Sequence, residues 1–290
     1  MEATMKAGQA FRTFLDMIKF EHTIFALPFA YLGMVLAAGG WPGGWPFFWI
    51  TVAMVSARTV AMAANRAIDR HLDARNPRTA TRALPQGRLS VGFVWVIVIV
   101  ATAIFFLSAW MLNPFVFRLA PLALVFLVGY SYTKRFTWLC HWVLGITDGA
   151  AAAGAWAAIT GSFDLPAFVL WGAVATWIAG FDLIYACQDV DVDRQEGLKS
   201  VPARFGIAAA LTLARINHVA TVALLAWAGV LLGLGWPFWV GLAVAAALLV
   251  YENMIVKPND LSRLDLAFFN INGYISVIVF VAAWLGVVVK

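Results

Sequence analysis

The sequence predicts an all-α integral membrane protein with nine transmembrane helices and its N-terminus in the cytoplasm. Three observations predict it. Of its 290 residues, 63% are hydrophobic and only 12% charged, whereas soluble domains average about half apolar and about a quarter charged. Nine stretches are apolar over close to the ~20 residues that a spanning helix needs. Finally, 16 of the 20 Lys and Arg fall in alternate gaps between those stretches. Hydropathy marks the spans and charge marks the sides, so the last two observations are independent.

The spans are expected at 23–40, 46–64, 91–112, 114–131, 138–160, 166–187, 207–233, 236–251 and 270–289. Four of the breaks, Trp41-Pro42-Gly43-Gly44, Asn113-Pro114, Gly161 through Pro166 and Gly235-Trp236-Pro237, have turn chemistry and carry no Lys or Arg. The other gaps are basic. They hold Lys6, Arg12 and Lys19; the six arginines of 65–90; Lys134 and Arg135; Arg194, Lys199 and Arg204; and Lys257 and Arg263. The positive-inside rule puts those gaps, and the N-terminus, on the cytoplasmic side. Arg118, close to an outer gap, runs against the pattern. No small-residue cleavage pattern follows the first apolar run, so it is expected to be a retained span.

The apolar content runs end to end, which predicts one membrane domain over residues 1–290. The net charge of +5 and isoelectric point near 9.4 do not point to nucleic acid, because the basic residues are dispersed among loops. Membrane lipid is the expected surrounding. Two cysteines, Cys140 and Cys187, lie beside or within apolar segments, which excludes a disulfide framework.

Two polar gaps are alike. Asp69 and Asp73 precede Pro85 and Gly87; Asp189 and Asp193, each 120 residues further on, precede Pro202 and Gly206. This suggests two weakly similar halves, each giving one acidic motif to a shared site. If the second span continues as helix to about Asn76, before Pro77, then Asn65, Asp69 and Asp73 lie at i, i+4 and i+8. At about 100° per residue their oxygen-bearing side chains share an arc of about 80°. Asp182, Tyr185, Asp189 and Asp193, at i, i+3, i+7 and i+11, share a similar arc, and Asp191 falls roughly opposite Asp182.

Facing carboxylate stripes repel unless a cation lies between them. Mg²⁺ suits that place, because it prefers carboxylate oxygens and bridges to substrate phosphates. Asn65, Asp69, Asp73, Asp189 and Asp193 are therefore the candidate metal ligands. Arg66, Arg70, Lys134 and Arg135 add positive charge in the same layer, suited to the oxygens of a diphosphate. A leaving diphosphate stabilised this way departs from an allylic carbon, and the resulting carbocation is open to attack by an electron-rich ring. Asp182 lies deeper, where a membrane-buried acid is a functional candidate; with Tyr185 it is a candidate catalytic residue, orienting the acceptor or stabilising positive charge. The plainer alternative is a structural pair with a neighbouring cation.

The pattern Asn65-x-x-x-Asp69-x-x-x-Asp73, then Asp182-x-x-Tyr185-x-x-x-Asp189-x-x-x-Asp193, resembles the UbiA superfamily of intramembrane aromatic prenyltransferases. So does Ser131-Tyr132-Thr133-Lys134-Arg135 after the fourth span. The resemblance covers essentially the whole chain. It implies a helical bundle around a central cavity open laterally to lipid, with Mg²⁺ between the motifs. It also implies transfer of a polyprenyl group from polyprenyl diphosphate to an aromatic or related acceptor, with Tyr132 and Lys134 as diphosphate contacts. Lys19 through Pro28 is similar to the 4-hydroxybenzoate polyprenyltransferase-like branch. The implied acceptor is an aromatic acid, 4-hydroxybenzoate or 1,4-dihydroxy-6-naphthoate, and the implied place is the inner membrane.

Arg58, seven residues before Asn65 and about 20° away around the helix, is a candidate for the acceptor carboxylate, as is Lys19. Asp148 sits mid-span, where charge is costly, and has no assigned role. His22, His71, His141 and His218 lack metal-ligand spacing and are expected to be structural. A transporter would need ionisable residues along several mid-spans; here mainly Arg58, Asp148 and Asp182 lie deep. The Asp-Gly and Ala-Arg offsets of CDP-alcohol phosphotransferases are missing.

Overall fold

A computed structural model of the chain describes residues 7–19, 23–264 and 266–289. Among them there is no β-strand, only an isolated bridge between Lys257 and Asp260. Lys6, Phe20, Glu21, His22 and Lys290 lie outside the described residues.

The amphipathic helix α1 (Ala7–Met17) precedes the first apolar helix and was not marked as a span. It buries Phe14 and Met17, followed by Ile18, against Val60 and Ala64 of α3 (Gly44–Arg75) and Val94 and Val98 of α4 (Val91–Leu112). Helix α2 (Thr23–Ala38) packs closely on α6 (Cys140–Thr160), where Gly33 leaves room for the Ala152 carbonyl.

Helix α3 runs 32 residues, well past the expected end of the span at 64. It carries the first acidic motif as continuous helix and stops just ahead of Pro77, where the Asn76 N–H donates to Leu72 O (3.2 Å). Pro77 cannot donate and disfavours helix in the residue before it.

The hinges follow capping chemistry. Ser90 Oγ accepts from Phe93 N at the start of α4. Asn113 caps α5 (Pro114–Thr133) by accepting from Val116 N, while its amide donates to the Ala157 and Ala158 carbonyls of α6. Gly161 ends α6 in the left-handed region (φ 73°), which glycine enters without steric cost. Asp164 then caps α7 (Leu165–Tyr185).

Beyond α7 the chain does not continue as α-helix. A 3₁₀ turn, Ala186–Asp189, leads into α8 (Val190–Gln195), and a short α9 (Val201–Phe205) follows. The constant rotation expected through the second motif therefore fails after Tyr185. Three apolar helices complete the bundle: α10 (Ile207–Leu231), α11 (Trp236–Ile255) and α12 (Asn272–Val288), the last entered through a π-helical turn, Leu266–Ile271.

Seven helices among the described residues are long and apolar enough to cross a membrane, and Leu27–Ala38 and Asn272–Val288 are shorter apolar helices. Their outer surfaces are apolar, as with Val125, Val219 and Val250. The main core joins α2, α6, α7, α10, α11 and α12 around Trp177, Leu170 and Ile275. Helices α3, α4 and α5 form the other side, and a cavity of about 1270 Å³ lies between.

Candidate active site

The cavity is apolar along its length and polar at one end. Phe105, Leu112, Val116, Leu119 and Leu122 line the apolar part. The polar end is built from the C-terminal ends of α3, α5 and α7, the start of α6, and the loop 76–90. Antiparallel packing brings these helix ends to one level.

All five candidate metal ligands, Asn65, Asp69, Asp73, Asp189 and Asp193, line this end, with Asp182, Tyr185, Arg66 and Lys134. The two acidic motifs thus face one another across a single space. Each aspartate is met by a basic side chain. Arg135 Nη2 donates to Asp69 Oδ1 (2.6 Å), and Arg82 Nη1 to Asp73 Oδ1 (2.7 Å). Arg78 donates through Nε and Nη2 to both oxygens of Asp189 (3.1 and 2.7 Å) and through Nη1 to Tyr185 Oη (3.0 Å). Lys134 Nζ donates to Asp193 Oδ1 (2.7 Å). Asp73, Asp189 and Asp193 are buried, and such charges are tolerated only when paired.

The pairing acts on the cations too. Burial works against the charged form of Lys134, but the charge and hydrogen bond of Asp193 outweigh it and hold the ammonium above the ordinary lysine range. Arg78 is held up by Asp189 and Tyr185 in the same way.

Other side chains fix the acids. Asn65 Nδ2 donates to Asp69 Oδ2 (2.9 Å), Asn76 Nδ2 to Asp189 Oδ1 (2.8 Å), and Ser200 Oγ to Asp193 Oδ2 (2.7 Å). Asp182 contacts His141, whose Nδ1 lies 2.6 Å from Asp182 Oδ2. Both line the cavity.

Two of the expected diphosphate contacts do not line the cavity. Arg70 lies a residue past Asp69 and so about 100° around the helix; its Nη1 donates to Ala67 O on its own helix (2.9 Å). Tyr132, between the cavity-lining Ser131 and Thr133, is exposed on the outside and stacks under Arg135 (5.2 Å). Two further cations, Arg78 and Arg82, which the sequence marks only as basic residues of a loop, reach Asp189 and Asp73. Arg135, expected from the sequence in the layer suited to diphosphate oxygens, meets Asp69. Asp191 is exposed and away from the cavity.

Arg58 and Asp148 line the cavity between its polar end and its apolar body, and Arg58 Nε is buried without a hydrogen-bond partner. Lys19 lines the cavity from the end of the N-terminal segment.

Among the described residues no three His, Cys, Asp or Glu side chains are gathered closely enough to cage a metal by themselves. Mg²⁺ does not need such a cage, since it is ordinarily held by one or two carboxylates and completed by water and substrate phosphates. The donors fit that ion: they are oxygens, and Asp73 Oδ2 is buried without a hydrogen-bond partner.

Comparison with known proteins gives a consistent result. The profile of the UbiA prenyltransferase family matches residues 26–274. The 4-hydroxybenzoate octaprenyltransferase of Cupriavidus necator is 34% identical over 238 residues, 81% of this chain and 82% of that protein. That of Methylobacillus flagellatus is 31% identical over 256 residues, 86% of this chain and 83% of that one. The apo structure of a UbiA homolog from Aeropyrum pernix matches with a TM-score of 0.83 and 34% identity, over 90% of this chain and 96% of that one. A UbiA homolog from Archaeoglobus fulgidus, bound to GPP and Mg²⁺, shares the fold (TM-score 0.66, 20% identity, 96% of this chain and 100% of that one). With a helical bundle long enough to cross the bilayer several times, a match over most of its length and two acidic motifs at one cavity, the chain belongs to the UbiA prenyltransferase family and is a multi-pass membrane prenyltransferase.

Proposed function

We propose that this enzyme transfers a polyprenyl group from polyprenyl diphosphate to 4-hydroxybenzoate in a Mg²⁺-dependent reaction of quinone synthesis. One observation carries the reading: both acidic motifs and their cations meet at the polar end of a single cavity whose remainder is apolar. An amphiphile with a charged head and a hydrocarbon tail matches that division. The acceptor is supported by relatives named for 4-hydroxybenzoate at 31–34% identity and by Arg58, whose unpaired Nε suits a carboxylate within the cavity.

In this reading Asn65, Asp69, Asp73, Asp189 and Asp193 hold Mg²⁺, which neutralises phosphate charge and so eases departure of the diphosphate. Arg66, Arg78, Arg82 and Lys134 bind the phosphate oxygens, and the apolar walls receive the tail and exclude water. The allylic C–O bond breaks with its electron pair leaving on the diphosphate. A ring carbon of the acceptor forms the new C–C bond, and the ring then loses the proton from that carbon. Asp182 and Tyr185 face the space where positive charge develops and orient the acceptor hydroxyl. Arg58, with Lys19 nearer the entrance, holds the acceptor carboxylate.

We also place the protein in the inner (cytoplasmic) membrane as one domain of two related halves. It has nine spans, because Leu27–Ala38 and Asn272–Val288 extend the seven longer helices to the number that charge alternation requires. Its N-terminus and acidic site face the cytoplasm.

The test is prenyl transfer by the purified protein in lipid, with radiolabelled 4-hydroxybenzoate and 1,4-dihydroxy-6-naphthoate compared at equal concentration. Prenylated 4-hydroxybenzoate is expected. Transfer only to the naphthoate would overturn the acceptor assignment, and transfer to neither would overturn the aromatic-acid reading.

A further inference from the structure

We propose that His141 is a positioning residue for prenyl transfer, fixing the Asp182 carboxylate in the cavity, and that it is itself fixed by the backbone N–H of Val201. The inference rests on the placement of Asp182 at the acceptor given above.

Both ring nitrogens of His141 are engaged. The Val201 N–H donates to Nε2 (3.2 Å), so Nε2 presents a lone pair. The proton of a neutral ring is then on Nδ1, which donates to Asp182 Oδ2 (2.6 Å). The imidazole side chain is 3% exposed and the Asp182 side chain 23%. The ring is therefore locked in the wall while the carboxylate still faces the cavity. One oxygen of Asp182 is held by the ring, which restricts the carboxylate's rotation. A reacting group held near one geometry lowers the entropic part of the barrier, and a histidine fixed by a second partner orients a carboxylate as readily as the reverse.

Val201 belongs to a short strap whose consecutive residues each secure one member of the site. The Lys199 N–H donates to Lys134 O (2.7 Å). Ser200 Oγ donates to Asp193 Oδ2 (2.7 Å) and accepts from Ala203 N (3.3 Å). Val201 reaches Asp182 through His141. Ser200 and Val201 are fully buried, as a positioning element requires.

Asparagine and glutamine separate orientation from simple filling of space. An Asn amide can place a donor near the position of Nδ1, whereas a Gln amide reaches the position of Nε2 and leaves Asp182 without its donor. Steady-state rates of the purified protein in lipid should be measured for His141→Asn, His141→Gln, Val201→Pro and Asp182→Asn, varying 4-hydroxybenzoate and the prenyl diphosphate separately. His141→Gln is expected to lower kcat/KM for 4-hydroxybenzoate about 10–100-fold and leave KM for the prenyl diphosphate unchanged, while His141→Asn keeps most of the activity. Val201→Pro removes the donor to Nε2 and sets the proline ring where that N–H pointed, so the His141 ring loses its anchor and must shift. Ser200 is already extended (φ −119°, ψ 160°), as the residue before proline prefers, and the first helical position tolerates proline. It should lose acceptor efficiency in the same direction, and it carries the test should a His141 variant not fold.

Equal losses in the folded Asn and Gln variants, or wild-type acceptor kinetics in Val201→Pro, would overturn the positioning role. So would a loss confined to KM for the prenyl diphosphate. Wild-type kinetics in Asp182→Asn would instead remove the assignment of Asp182 on which the inference stands.

Discussion

Arg78 grips both carboxylate oxygens of Asp189, at 3.1 and 2.7 Å, although the two are 111 residues apart in sequence. The arginine follows the first acidic motif and the aspartate belongs to the second, so this forked pair joins the two motifs at the polar end of the cavity. Arg75 and Glu196 join the same two regions again at 3.0 Å, nearer solvent.

The fork makes Arg78 hard to replace. Lysine would keep the charge but supply neither the second parallel bond to Asp189 nor the bond to Tyr185 Oη. A hydrogen bond to a charged group is worth about 1.5–3 kcal/mol, and about 1.4 kcal/mol is a tenfold effect. Arg78→Ala is therefore expected to lower kcat/KM for the prenyl diphosphate roughly 10–100-fold, with Arg78→Lys recovering little of it. Steady-state kinetics with the diphosphate as varied substrate decide the matter; a lysine variant at wild-type efficiency would show that only charge is needed.

Asp69→Ala and Asp189→Ala are expected to abolish transfer while leaving the protein folded in the membrane. Each removes a carboxylate of the site and leaves its cation, Arg135 or Arg78, without that partner. Turnover should stop on chelation and return with added Mg²⁺, and Mg²⁺ together with inorganic pyrophosphate should raise the melting temperature of the wild type but not of either variant. Full activity in either variant would falsify the metal assignment.

Arg58 supports a sharper experiment, because the acceptor offers its own control. If Arg58 holds the acceptor carboxylate, Arg58→Ala should raise KM for 4-hydroxybenzoate and leave KM for the prenyl diphosphate alone. A phenol without the carboxylate should be a poor acceptor for the wild type and no poorer for the variant. Equal penalties for the two acceptors would place Arg58 elsewhere in the reaction.

The fold was legible because its determinants are local. A run of apolar residues marks a span wherever it folds, and the expected 91–112 coincides with α4. Capping residues are equally local, as at Asn113 and Asp164. The acids of the first motif were legible as one helix face, since α3 carries them as continuous helix. Two of the four basic partners of the site's acids were not. Arg78 and Arg82 reach the acids only because the loop after Pro77 folds back over the cavity, and nothing in the loop's own sequence separates them from ordinary cytoplasmic arginines. The 3₁₀ turn at Ala186–Asp189 was not legible either, since its residues include no proline or glycine to announce a break. His141 could have been found. It stands about 20 residues before the Gly161–Asp164 turn, and Asp182 about as far after it, so antiparallel helices rising 1.5 Å per residue bring the two level. Metal-ligand spacing along the sequence does not reveal such a pairing between helices.

Close packing of α6 against α7 sets the height of that pair, and it can be tested separately from chemistry. A Cβ on Gly145 would run into the Ala175 carbonyl of α7, a backbone atom that cannot swing aside. Gly145→Ala should therefore force the helices apart, at a cost of about 1–3 kcal/mol for overpacking. Gly129, in α5, has nothing within 4 Å of the position a Cβ would take. There the same substitution gains helix propensity of about 1 kcal/mol and meets no obstacle. Thermal melts of the two variants in one detergent are expected to diverge, Gly145→Ala falling by several degrees and Gly129→Ala staying level or rising. Because His141 lies one turn before Gly145, only the first should also slow turnover of the acceptor. Equal melting temperatures would mean that α6 and α7 are not held at the separation described.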